Sequence, residues 1–339
     1  MRKGELLYMN NKYYPMNSAE VLDQVLDIYK KSFLKQVAVS IIFSIIFIVL
    51  LYIFLFAGIV ALMVGFYDAF NEASLTTGAI ISIAIFLMII VLLAAIYDAL
   101  LNTGNALITK HTFLGEYCDV GGVLKETFKK FWIAVSASLA SLIVFIPVFF
   151  IGGVIVYLYI DMLVNFYGTG YMPTTPIIVF TILLLVLVLV ISLIGTTVIM
   201  MSNKVAIFEG RWFFGAVKRS FILVKPDFMK IMGLVTVWSL IITAASYSLE
   251  AFFAVGTALA GYFAPQEAAG LILMSTWGVG SIFSMITGIV LAPLWGIFSA
   301  VVYINQRIKL EGLDIELSLN MLEVKRLNDI RTGNAKGSH

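Results

Sequence analysis

The chain has little to build chemistry with. Cys118 is its single cysteine, and His111 and His339 are its only histidines. A lone cysteine excludes an internal disulfide and a cysteine-based metal cluster, and two histidines leave histidine metal sites and Ser-His-Asp chemistry almost nothing to draw on. Charged residues are only 12% of the chain, and several of its loops have no lysine or arginine at all. What is abundant is apolar surface. At 61% hydrophobic residues, with a mean hydropathy of +1.02, the composition lies outside that of soluble domains. Apolar runs longer than about 18 residues recur, too many for a soluble core to hide. The composition therefore predicts an all-α, polytopic membrane protein.

Apolar segments cover about 36–66, 78–108, 131–160, 176–202, 231–263 and 269–306. Each exceeds the roughly 20 residues that a span needs. A 31-residue helix would be about 46 Å long against a hydrocarbon core of about 30 Å, so the helices must tilt, break or project. Lysine and arginine fall in four groups: six before residue 36, four from Lys110 to Lys130, six from Lys204 to Lys230 and six from Arg307 onward. The alternate loops around Asp68 and Glu72, Asp161, and Glu267 contain none. By the positive-inside rule this predicts six spans with both termini in the cytoplasm, in a plasma membrane. Pro147 and Pro293 are expected to kink their spans, and a re-entrant hairpin near Pro265 is possible within Glu250 to Thr287.

The chain divides into three parts: a cytoplasmic interfacial helix within 1–35, a six-span domain over 36–306, and a cytoplasmic amphipathic tail over 307–339. Residues 1–35 lack the apolar core of a signal peptide. Asn17-Ser18-Ala19-Glu20 reads as a capping box, followed by Val21, Leu22, Val25, Leu26, Tyr29 and Phe33 at helical spacing. Such a helix lies on the membrane or binds a partner. The tail, through Leu317, Met321, Leu322 and Leu327, has mixed charge and faces the interface or a partner rather than anchoring to lipid by charge.

A short repeat marks the middle of the chain. Gly122-Val123-Leu124-Lys125-Glu126-Thr127-Phe128 aligns with Gly215-Ala216-Val217-Lys218-Arg219-Ser220-Phe221. Each copy comes after an inward span and precedes an outward one. This predicts same-orientation helix–loop–helix repeats over about 78–160 and 176–263, with interfacial amphipathic helices in the cytoplasmic loops and a cavity expected at the repeat interface.

Two sets of residues are candidates for binding. Asp98, Asn102 and Asn105, at i, i+4 and i+7 on the second span, place a carboxylate and two amides on one helical face. They suit a lipid headgroup, a peptide backbone or a cation, or else plain interhelical hydrogen bonding. Glu250 lies near the outer boundary of the fifth span. The second set is the basic one: Lys125, Arg211, Lys218, Arg219 and Lys225 lie among aromatic residues and can hold phospholipid headgroups or simply set topology. Gly152-Gly153 and Gly278-Val279-Gly280 are expected to be helix-contact residues, and His111 and Cys118 to face solvent. No cofactor, metal site or catalytic constellation is recognised, and dispersed charge argues against nucleic acid.

Three stretches resemble the glycerophosphoryl diester phosphodiesterase membrane-domain family. The first runs from Tyr14-Pro15-Met16 through Ala19-Glu20-Val21-Leu22-Asp23 to Tyr29-Lys30-Lys31-Ser32-Phe33. The second is Gly215-Ala216-Val217-Lys218-Arg219-Ser220 to Lys225. The third is Tyr303 to Glu316, with its Glu311-Gly312-Leu313-Asp314-Ile315-Glu316. Asn305 stands where that family commonly has an acidic residue, and Val217 where it has leucine. The resemblance covers the membrane region alone and implies no established activity, because the phosphodiesterase barrel would need roughly 250 further residues. Together these readings predict a non-enzymatic membrane protein that binds or translocates an amphiphile, lipid or peptide. The alternatives are a scaffold for other membrane proteins and, more remotely, an intramembrane enzyme.

Overall fold

The computed structural model describes residues 14–72, 77–169, 174–263, 266–316 and 319, and among them the fold is all-α. Six long helices are joined by short connections: α1 (Ser18–Glu72), α2 (Thr77–Leu114), α4 (Phe131–Thr169), α5 (Thr174–Glu209), α7 (Phe228–Phe263) and α8 (Gln266–Glu311). Two short amphipathic helices, α3 (Val120–Lys129) and α6 (Phe213–Val224), sit between α2 and α4 and between α5 and α7. Among the described residues five helical stretches are long and apolar enough to cross a membrane. A sixth counts if α3 and α4, bent by 59° at their junction, form one span. The protein is thus a multi-pass membrane protein. Residues 264–265 and most of the tail beyond Glu316 lie outside the described residues, so neither the tip of the expected hairpin nor the tail helix is placed. Both α4 and α8 continue through their prolines as single helices.

The capping box forms as written: Asn17 N–H donates to Glu20 Oε2 at 2.8 Å, and Glu20 N–H to Asn17 Oδ1 at 3.0 Å. The helix it opens is not the expected surface helix. α1 runs unbroken from Ser18 into the first apolar stretch, and Val21, Val25 and Ile28 are buried against Met201, Val205, Leu294, Ile297 and Val301. The amphipathic face finds other helices rather than a lipid surface, because Asn305 draws the segment in. Its side chain accepts from Met16 N–H (2.8 Å) and donates to Met16 C=O (3.1 Å) across 289 positions of sequence.

The two repeat segments fall on α3 and α6, with matching burial. Thr127 and Ser220 are fully buried and bond back to the carbonyls of Val123 and Val217, while Lys125, Lys218, Phe128 and Phe221 are exposed. The helices before them end alike. Gly115 (φ 74°) and Gly210 (φ 69°) take the left-handed conformation that closes α2 and α5, which a side chain would oppose. Entry differs: Asp119 caps α3 through Gly122 N–H at 3.3 Å, whereas α6 has no side-chain cap and Phe213 is held at φ 45°.

Among the described residues burial is confined to one end of the bundle, its inner end. On α1 the buried positions run from Val21 to Ser44, on α2 from Leu93 to Thr109, on α5 from Gly195 to Ile207 and on α8 from Thr287 to Ile308. The other halves expose Val49 to Met63, Ile85 to Leu92, Val179 to Val190 and Ile282 to Ile286. Where small residues let helices meet, they are not the ones expected. An added Cβ at Gly104 would lie 2.7 Å from Val39 Cγ1, and one at Gly296 would lie 2.7 Å from Asn105 Cβ. Around Gly152 and Gly153 there is only open space, so these are not contact residues. Gly280 has an ordinary 3.7 Å approach to Phe253, and the surroundings of Gly278 are outside the described residues.

Candidate functional site

The buried end carries a seam of polar side chains rather than a purely apolar core. Ser32, Gln36, Ser40 and Ser44 recur every fourth residue along α1 and are all buried, which places them on one stripe. Gln36 donates weakly to Thr109 on α2 (3.4 Å), and the Ser44 and Tyr97 hydroxyls are 3.0 Å apart. At the junction of α2, α4 and α5 the seam acquires charge.

Asp98 is the centre of that junction. Asn102, one turn along α2, donates its Nδ2–H to Asp98 Oδ1 at 2.7 Å. Asn203 on α5 donates to Asp98 Oδ2 at 3.3 Å and accepts from Ser138 of α4 at 3.1 Å. Both carboxylate oxygens are therefore oriented by neutral amides from two helices. Although ringed by protein, the Asp98 side chain keeps accessible surface, and it lies just inward of the exposed apolar belt Ile85–Leu92.

Behind it stands Lys204, which has no accessible surface. Its Nζ donates to the backbone carbonyl of Asn102 (3.3 Å) and to Asn102 Oδ1 (3.4 Å), and among the described residues it makes no ion pair. Asn102 thus stands between an ammonium and a carboxylate, its oxygen turned to one and its nitrogen to the other. Burying an ammonium without direct pairing costs several kcal/mol. The fold retains it, so the site is a place where stability is given up.

Lys204 escaped the sequence reading because it was counted among the cytoplasmic positive charges that set topology. Met200-Met201-Ser202-Asn203 precedes it and Val205-Ala206-Ile207 comes after it, which continues the helix past the lysine but does not distinguish a snorkelling ammonium from a sealed one.

The predicted residues divide. Asp98 and Asn102 come together, but Asn105 does not join them. It faces Gly296 of α8, buried, with neither amide atom hydrogen-bonded among the described residues. Gln36 Oε1, Ser40 Oγ and Ser202 Oγ are likewise buried with no hydrogen-bond partner among the described residues. Glu250 is half-buried far along α7, about 18 Å of helix outward from Trp238.

The basic set also divides. Lys125, Lys218 and Lys225 are exposed beside Phe128, Phe214 and Phe221. Arg219 is instead taken up inside the protein: its Nε donates to both Glu209 oxygens (3.2 and 3.0 Å), and its NH2 group pairs with Glu311. Arg211 Nε also donates to Glu209 (3.0 Å), Tyr303 O–H donates to Glu209 at 2.9 Å, and Arg307 Nε donates to Glu311 at 2.9 Å. This knot ties the end of α5 to α6 and α8. Arg219 therefore lacks the free fork a phosphate needs, because two carboxylates from outside its own helix already occupy it.

The two residues expected to face solvent are both drawn in. Cys118 is buried under α3, and burial pushes its thiol up from the ordinary range. Nearby Lys35 works against that shift, and Asp119 and Glu126 add to it. His111 is partly covered and lies 2.8 Å from Glu116 and 4.0 Å from Glu126. Among the described residues no cluster of histidine, cysteine, aspartate or glutamate could hold a metal ion. No family model, curated protein or solved structure matches the chain.

Proposed function

We propose that this chain is a non-enzymatic bacterial plasma-membrane protein, with both termini cytoplasmic, that binds or moves an amphiphile from the inner leaflet. The membrane-domain resemblance belongs to the same proposal. One observation carries it: Asp98 is a carboxylate that stays accessible at the inner edge of an apolar belt while Asn102 and Asn203 hold both its oxygens. Ionisable groups at such depth are costly and mark ligand paths. A headgroup with an ammonium complements the carboxylate, and its apolar tail suits the exposed faces of the outer arms. Exposed Lys125, Lys218 and Lys225 add attraction for lipid phosphate of about 1 kcal/mol each.

The test is native mass spectrometry of protein taken from nanodiscs containing phosphatidylethanolamine and phosphatidylglycerol. Wild type should retain phosphatidylethanolamine, and Asp98→Asn should lose at least tenfold of that occupancy while Gly152→Ala, which faces open space, keeps it. Retention of a peptide instead would redirect the ligand class, and equal occupancy in wild type and Asp98→Asn would sink the reading.

The scaffold reading has its own support. A recess of about 620 Å³ at the cytoplasmic end of α1 is lined by Glu20, Asp23 and Asp27 together with Lys31, and suits a basic segment of another protein. Co-purifying protein lost in Glu20→Lys/Asp23→Lys would favour it.

A further inference from the structure

Lys204 has no task in the reading above, yet it shares one negative charge with the proposed ligand. We propose that the site exchanges a proton for its cationic ligand: seating an ammonium on Asp98 drives the proton off Lys204. The inference rests on Asp98 being the ligand carboxylate.

The geometry is that of a competition. Lys204 Nζ is sealed from solvent, is hydrogen-bonded to the two oxygens of Asn102, and has Asp98 as its counter-charge through that amide. Asp98 is the accessible member of the pair. A cation arriving there leaves two positive charges against one carboxylate in a low-dielectric cluster, which is strongly opposed. Among the described residues no other charge is placed to compensate. α5 packs on α2, α4, α6, α7 and α8. From α2 the groups facing Nζ are Asp98 and Asn102, and α4 contributes the neutral Ser138 to the cluster. Glu209 at the end of α5, Arg219 on α6 and Glu311 on α8 are bound to one another. Lys309 of α8 and Lys230 of α7 are engaged by Asp227.

The cluster is relieved when one Nζ–H bond breaks. The electron pair stays on nitrogen, leaving a neutral amine that still accepts or donates within the seam, and the proton passes to buffer. One cation enters, one proton leaves, and the net charge of the cluster is unchanged. Lysine can do this and arginine cannot, since a guanidinium keeps its proton. Protonation of Lys204 in turn expels the ligand, so a proton gradient can set the direction of release.

The experiment is calorimetric titration of the full-length protein, in non-ionic detergent, with dodecyltrimethylammonium, whose charge does not titrate. Running it from pH 5 to 9 in two buffers of different ionisation enthalpy counts the protons released. For wild type the expected result is affinity rising at least tenfold across that range, with up to one proton released per probe bound. Lys204→Met should bind at least tenfold tighter than wild type at pH 6 and release none. Lys204→Arg keeps the charge and should bind weakly at every pH, also without release.

Asp98-dependent binding that is pH-independent in wild type, or proton release undiminished in Lys204→Met, overturns the exchange and leaves the ligand site standing. Binding that is the same in Asp98→Asn, or no binding to wild type at any pH, overturns the ligand site and the exchange together.

Discussion

The two ends of the bundle belong to the same long helices and yet behave differently. The inner end is packed, with Trp238 stacked on Phe298 (5.3 Å between ring centres, 14° between planes) and a polar seam running through it. The outer end leaves Tyr52, Phe56, Phe252 and Tyr262 each more than two-thirds exposed. Hydropathy does not explain the contrast, since residues 179–190 of α5 are as apolar as any. In lipid, apolar side chains gain nothing by leaving the tails for one another, so helices associate through close backbone approach and interhelical polar bonds. Gly104, Gly296, Asp98, Asn203, Asn305 and Glu209 all lie at the inner end, which holds these polar bonds, while the outer half has side-chain approaches such as Gly58 against the Phe86 ring and Phe253 stacked on Phe283.

The contrast can be broken most severely with glycine. Gly296→Leu forces a side chain into the space of Asn105 and should cost about 3 kcal/mol or more, whereas Gly152→Leu, facing open space, should be within about 0.5 kcal/mol of wild type. Thermal unfolding in one detergent compares them; equal losses would show that the outer arms pack as tightly as the inner end. Next is Glu209→Ala, which leaves Arg219 only Glu311 and takes away the acceptor of Tyr303. A loss of about 2 kcal/mol is expected, with earlier proteolysis between α5 and α6. Asn305→Ala removes the clasp on Met16 and should cost about 1–2 kcal/mol, read as faster cleavage near residue 16. The smallest effect concerns Cys118. Burial raises its thiol and hides it, so maleimide labelling at pH 7 should be at least tenfold slower than for a cysteine placed at exposed Lys125. Because the folded thiol is raised, its labelling rate should keep climbing at higher pH after that of the exposed thiol has levelled off.

Several local features were legible in the residues. The Asn17–Glu20 box and the Asp98–Asn102 pair each involve partners three or four positions apart, which helical geometry alone brings together. The placement of Gly122–Phe128 and Gly215–Phe221 on short helices after long ones was likewise readable from pattern. The burial of Lys204 and the capture of Arg219 were not. Each turns on residues from helices distant in sequence, and a lysine at the inner end of an apolar run reads the same whether it snorkels to water or is closed over.

The sequence by itself determined the existence of the long apolar helices, the amphipathic linkers and the membrane setting. These come from hydropathy summed over twenty or more residues, a property no contact can reverse. Only the tertiary structure decided which polar residues meet, which are sealed and which stay open. Interhelical bonds depend on the tilt and rotation of helices, and the apolar pattern, equally content on every lipid-facing side, leaves those angles free. Asp98 accessible and Lys204 closed behind Asn102 is the arrangement those angles selected.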